Sequence, residues 1–163
     1  MKVRDLMIVG GGHLAPGQSL AEAVSAFRAA PGPSGCRGAD AMPVIDERGA
    51  MAGILSAGGL LSSLLPRYMA LASISDFSWE GMAEEIAAKA RGRKVAEVMA
   101  TPVVIVHADA PLMTGLEHMV VNGVRQLPVV DDDGGRVVGM LYERDIFAAL
   151  TELMLGTSPE GRP

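Results

Sequence analysis

The sequence predicts an α/β fold made of two β-α-β-β-α repeats packed with pseudo-twofold symmetry. Three recurrences carry that expectation. Val3-Arg-Asp-Leu-Met7 returns as Val95-Ala-Glu-Val-Met99. Met42-Pro-Val-Ile-Asp46 returns as Leu127-Pro-Val-Val-Asp131. Each copy closes on a glycine and a short apolar run, Gly53-Ile-Leu-Ser56 and Gly139-Met-Leu-Tyr142. One copy is too short to enclose a good core alone, so the two copies are expected to pack on each other. A cleft between paired repeats is a natural ligand site.

Repeat one is assigned to residues 1–66. Ser19 is placed to cap a helix whose Leu20, Val24 and Phe27 form an i, i+4, i+7 stripe. The helix runs into Ala29-Ala-Pro-Gly-Pro-Ser-Gly-Cys-Arg-Gly38, which is loop chemistry throughout. From the leucine that opens the helix to the Pro-Val pair, this copy is seven residues longer than the other. The surplus falls in the loop at about 29–41. Val44-Ile45 and Ala52 to Leu55 read as strands joined by the turn Asp46-Glu-Arg-Gly49. The apolar run Met51 to Leu65 is diluted by Gly and Ser and ends at Pro66-Arg67. A bilayer span needs about 20 apolar residues, so this run reads as a buried strand plus helix.

The connector, residues 67–94, has Ser78 as a candidate N-cap and Trp79, Met82, Ile86 and Ala90 on one face. Its acidic residues Glu80, Glu84 and Glu85 come early, and Lys89, Arg91, Arg93 and Lys94 come late, which complements a helix dipole. A helix over Trp79–Lys94 is expected to join the repeats. Repeat two is assigned to residues 95–155. Val103 to Val106 is β-branched and predicts a strand. Pro111 suits the first turn of a helix bearing Leu112, Leu116, Met119 and Val120, and Asn122-Gly123 suits its left-handed end. Leu127 to Val130 and Val137 to Leu141 should pair across Asp131-Asp-Asp-Gly-Gly135. A last helix from about Glu143 should bury Ile146, Phe147, Leu150 and Leu153. Residues 156–163 read as a disordered tail.

Composition narrows the function. Hydrophobic residues make up 49% of the 163, but aromatics only 4%, so the core must be aliphatic and methionine-rich. The 11 methionines are spread along the chain, as gap-filling core residues are. A net charge of −5 argues against sequence-independent nucleic-acid binding and against an acidic-lipid anchor. Cys36 is the one cysteine, which excludes an internal disulfide and a thiolate metal cage. Lys2 and Arg4 precede no apolar leader core, and the reading is of a cytoplasmic, reduced protein. His13, His107 and His118 have no metal-ligand spacing, and His118 reads as a helix-surface residue. No Ser/His/Asp or Cys/His set can be argued from placement, so no catalytic residue is assigned. Gly10-Gly-Gly-His-Leu-Ala15 imitates a dinucleotide fingerprint. A true fingerprint opens a helix directly, whereas Pro16-Gly17 interrupts here. A dinucleotide-binding oxidoreductase is therefore the remote alternative.

The motifs together resemble a pair of CBS domains, the repeat named after cystathionine β-synthase. Repeat two supplies Val95 to Met99, Thr101-Pro102, Arg125-Gln-Leu-Pro-Val-Val-Asp131 and Gly139-Met-Leu-Tyr-Glu-Arg-Asp145. Repeat one keeps Met7, Met42-Pro43-Val44 and Gly53. The resemblance implies a sensor that binds an adenosine-containing nucleotide (AMP, ADP or ATP) in an inter-repeat cleft, needs no cofactor, and modulates a separate protein as a homodimer. It places Asp145 on the ribose hydroxyls and Tyr142 at the Thr/Ser position that contacts ribose or phosphate. Thr101, Val103, Val104, Leu127 and Pro128 would surround the base. Arg144 could offset phosphate charge. Repeat one has Ser56 but carries Gly59 in place of the closing Asp, which implies a weaker second cleft. The rival reading is a dimerisation scaffold that binds nothing.

Overall fold

The computed structural model describes residues 1–65, 80–133 and 135–156. After a 3₁₀ turn at Val3–Asp5, the described elements of the first half are α1 (Leu20–Ala29), β1 (Ala41–Ile45), β2 (Met51–Ser56) and α2 (Ala57–Leu64). Next come α3 (Met82–Ala90) and α4 (Val95–Val98). The second half continues with β3 (Val106–His107), α5 (Leu112–Asn122), β4 (Gln126–Val130), β5 (Val137–Tyr142) and α6 (Glu143–Met154). The fold is mixed α/β, and the element order recurs as expected.

Contacts divide the chain into two compact units that cut across the sequence repeats. The first comprises Met1–Gly12, Ala30–Ala39 and Val104–Pro163, and the second His13–Ala29 and Asp40–Val103. Each unit is thus completed by a leading segment borrowed from the other copy. In the first, β3 runs parallel to β4, which pairs antiparallel with β5. Ile8 and Met140 exchange backbone hydrogen bonds of 2.8 and 2.9 Å beside β5. In the second, β1 and β2 pair antiparallel, Leu14 bridges Val44 in parallel, and Ile54 and Ala100 exchange bonds of 3.1 and 2.8 Å.

These bridges explain the repeated glycines. A Cβ on Gly139 would lie 2.8 Å from the Ile8 carbonyl oxygen and 3.3 Å from the Met7 sulfur. One on Gly53 would lie 2.7 Å from the Met99 sulfur and 3.0 Å from the Ala100 oxygen. The Val-x-x-x-Met segment of one copy therefore packs on the closing glycine of the other, which has no side chain to keep it away.

Local signals set most boundaries. Ser19 and Glu22 form a reciprocal cap on α1: the Glu22 N–H donates to Ser19 Oγ at 3.2 Å, and the Ser19 N–H to Glu22 Oε2 at 2.7 Å. The Ser19 N–H and hydroxyl, both donating to Glu22 Oε2, hold the Glu22 carboxyl below its usual range. Gly123 ends α5 with a left-handed φ of 64°. Asp46 closes its turn by accepting the Arg48 and Ala50 N–H groups at 2.9 Å, and Asp131 accepts that of Arg136 at 2.8 Å. The core of the first unit gathers Val3, Val106, Leu112, Leu127, Leu141 and Ile146. Burying each such aliphatic side chain contributes about 1.5–3 kcal/mol.

Several expectations are corrected. The strand expected at Val103 to Val106 is reduced to Val106–His107, the stretch that reaches β4. The connector helix ends at Ala90, and Lys94 instead precedes α4; Ser78 and Trp79 lie outside the described residues, as do Pro66, Arg67 and 157–163. Helical periodicity overcounted the buried faces: Ala23, not Val24, fills the interior of α1. Val120 is 72% exposed, Phe147 67% and Leu153 53%. Likewise α2 fully buries none of its residues, so the apolar run is a half-buried strand followed by a helix that is only partly covered. His118 is half-buried, its Nδ1 donating to the Ile105 carbonyl at 3.0 Å, rather than a free surface residue.

Candidate functional site

Strand β5 delivers the closing motif to the start of α6. Gly139, Met140, Leu141 and Tyr142 are all buried, and Tyr142 stands at the N-cap. Glu143, Arg144 and Asp145 form the first turn. Asp145 is the third helical residue, where an acidic side chain commonly reaches back to cap its own helix. Asp5, Glu22 and Glu97 do that in this chain, each accepting the backbone N–H three residues earlier at 2.6 to 2.7 Å. Asp145 does not.

Instead Oδ1 of Asp145 accepts the backbone N–H of Ser34 at 3.0 Å, across 111 residues of sequence. Oδ2 is enclosed and has no hydrogen-bond partner. The side chain is 7% exposed and is the one buried charged residue among those described. Leaving such an acceptor unpaired costs about 1–3 kcal/mol. A helix-start carboxylate serving only the dipole would face solvent or cap its own turn. The buried Oδ2 of Asp145 is an acceptor that a hydroxyl or N–H donor could satisfy.

Arg144 is exposed, and its Nη1 donates to the Cys36 sulfur at 3.3 Å. Leu127 and Pro128 are buried in β4, one strand from Tyr142 through the register pairs Gln126–Tyr142 and Leu127–Leu141. Val104 is half-buried against the same core. The first unit thus brings Asp145, Arg144, Tyr142, Val104, Leu127 and Pro128 into one body. Thr101, Val103 and Ser56 belong to the second unit. Ser56 is committed to capping α2, its Oγ accepting the Gly59 N–H at 3.0 Å.

Two features were not singled out from sequence. The first is Ser34, which meets Asp145 through its backbone rather than its side chain; the seven-residue surplus was the available signal. The second is a surface cluster in which Lys2 donates to Asp109 at 2.8 Å beside Arg4. The Lys2 hydrogen bond holds the Asp109 carboxyl below its usual range, and a hydrogen bond with Asp132 and the Arg4 charge act in the same direction. The Gly10–Gly12 run opens no helix, since α1 starts at Leu20, so the dinucleotide fingerprint is absent. Among the described residues no group of three His, Cys, Asp or Glu side chains is placed to hold a metal ion. No described helix is long and apolar enough to cross a membrane.

Residues 95–152 match the family model of the CBS domain. That stretch, repeat two, is a CBS domain. No curated protein matches it. Among solved structures, the CBS domain pair of protein MJ0100 in complex with 5′-methylthioadenosine and S-adenosyl-L-methionine aligns with a TM-score of 0.61 at 21% identity, covering 97% of this chain and 98% of that one. CBSX2 in complex with AMP aligns at 0.61 and 21%, covering 94% and 98%. Protein MJ1004 from Mathanocaldococcus jannaschii aligns at 0.64 and 21%, covering 94% of this chain but 60% of its own length. These likenesses establish the CBS-pair fold, to which repeat one contributes although the family model matches only repeat two.

Proposed function

We propose that this CBS-domain protein is a regulatory, non-catalytic module that binds an adenosine-containing nucleotide of the AMP, ADP or ATP class. Asp145 accepts a ribose hydroxyl, and the chain passes the signal to a separate protein. The observation that carries this reading is the enclosed Oδ2 of Asp145, an acceptor without a donor at the start of α6. An ionised carboxylate matches hydroxyl donors, and the first turn of the helix favours an anion nearby. Arg144 supplies a cation beside it. Leu127 and Pro128 offer apolar surface for a purine face. Two structures of the same fold carry adenosine compounds, AMP in one and S-adenosyl-L-methionine with 5′-methylthioadenosine in the other.

The module works as a cytoplasmic homodimer in this reading. Helices α5 and α6 leave Met113, Val120, Phe147 and Met154 exposed at 57 to 80%, apolar surface of the kind that a second copy covers. A scaffold that binds nothing is the competing reading, favoured by the Ser34 N–H already seated on Asp145. A thermal-shift panel of AMP, ADP, ATP, NAD and S-adenosylmethionine separates the two. A ligand selective for the folded state raises its melting temperature. A rise with at least one nucleotide supports the sensor; no rise with any of the five supports the scaffold.

A further inference from the structure

The segment that touches Asp145 is the surplus loop, which has no counterpart in repeat two. It is a built structure rather than a slack connection. Its neck is closed where Gly32 lies against Gly38, so tightly that a Cβ on Gly32 would sit 1.6 Å from the Gly38 oxygen. Pro33 is fully buried, and the Cys36 N–H donates to the Pro33 carbonyl at 2.9 Å. Gly35 and Gly38 turn the chain with φ of 80° and 84°, a conformation that suits glycine. A loop with joined ends and internal bonds is a compact unit on the surface.

Its tip meets the ligand-facing groups twice. Ser34 donates to Asp145 Oδ1, and Cys36 accepts from Arg144. The other oxygen of Asp145 has essentially no solvent-accessible surface. A ligand hydroxyl can reach that carboxylate only after a covering group moves. The loop tip is the group hydrogen-bonded to it.

We propose that residues 30–39 are a latch on the nucleotide site, which holds Asp145 and Arg144 in the ligand-free chain and is displaced when an adenosine ligand binds. This rests on the nucleotide reading above. The latch withholds affinity: apparent binding weakens by the fraction of molecules that are open. A charge-assisted hydrogen bond at the low end of its range corresponds to about a tenfold factor.

Two measurements with AMP as the probe test it. Cys36 is the one cysteine, so the rate of its reaction with an aromatic disulfide reports the loop alone. In the full chain, saturating AMP should raise that rate severalfold. Replacing Pro33–Arg37 with two glycines should tighten AMP binding by about tenfold in calorimetry. Ser34→Pro, which removes the N–H donor, should act in the same direction. An unchanged or slower Cys36 reaction while calorimetry shows AMP bound would overturn the latch and leave the nucleotide site standing. Wild-type affinity in a folded shortened variant would overturn it too. Binding by the shortened variant alone supports it. AMP binding by neither chain sinks the latch, and binding of none of the five nucleotides sinks the nucleotide reading with it.

Discussion

Replacing Asp145 with alanine separates ligand binding from folding, because the two effects have different sources. In the ligand-free chain the substitution removes the Ser34 N–H bond to a charged acceptor, a loss of about 1.5–3 kcal/mol. It also removes a buried oxygen without a partner, a relief of about 1–3 kcal/mol. The two largely offset, so stability should fall by no more than about 2 kcal/mol, or about 4–8 °C for a chain of this size. When both chains, with Asp145 and with its alanine, carry the shortened loop, in which the Ser34 bond is already gone, there is no such offset with ligand. Losing the ribose bond to a carboxylate should weaken affinity roughly 10- to 150-fold. At a nucleotide concentration about 100 times the Kd of the chain with Asp145, the ligand stabilises that chain by about 2.7 kcal/mol. A variant bound tenfold more weakly gains about 1.4 kcal/mol. Titration calorimetry reads the affinity, and melting with and without nucleotide reads both stabilities. Equal affinities, or equal ligand-induced shifts, would remove Asp145 from the site. A destabilisation of several kcal/mol without ligand would make it a structural group instead.

Three further predictions follow from particular contacts. Gly139→Ala forces a Cβ to 2.8 Å from the Ile8 oxygen and should destabilise by about 1–3 kcal/mol, whereas Gly11→Ala, with nothing within 4 Å, should not; equal melting temperatures for the two variants would refute the packing argument. Because the folded-state pKa of Asp109 is depressed, its contribution is present above the unfolded value of about 4 and is lost as pH falls through the folded value. Melting of wild type and Asp109→Asn should therefore differ at neutral pH and converge in acid, and a gap that stays constant contradicts this. On the proposed homodimer, Phe147→Asp on the exposed face of α6 should lower the mass to a monomer's in sedimentation velocity, and an unchanged mass would contradict an interface on that face.

The fold was legible because its marks are local. The Ser19 cap, the Gly123 helix end and the Asp46 and Asp131 turns each state their geometry in a few residues, and the structure realises all of them. Burial was less legible. Val24, Val120, Phe147 and Leu153 carry the right spacing for a core face yet stay exposed, since periodicity does not reveal how wide a stripe the packing partner covers. The sequence also could not show which copy completes which sheet; the exchange of leading segments depends on Gly139 meeting Ile8 and Gly53 meeting Ala100. At the site, Asp145 was found through its motif. The burial that gives it meaning was not, because it comes with a loop 111 residues away that donates through its backbone.

The most direct measurement is a crystal structure of the chain grown with AMP. The account predicts a ribose hydroxyl within hydrogen-bond distance of Asp145, with the Ser34 N–H withdrawn from it. AMP bound with its ribose away from Asp145 would contradict the central claim.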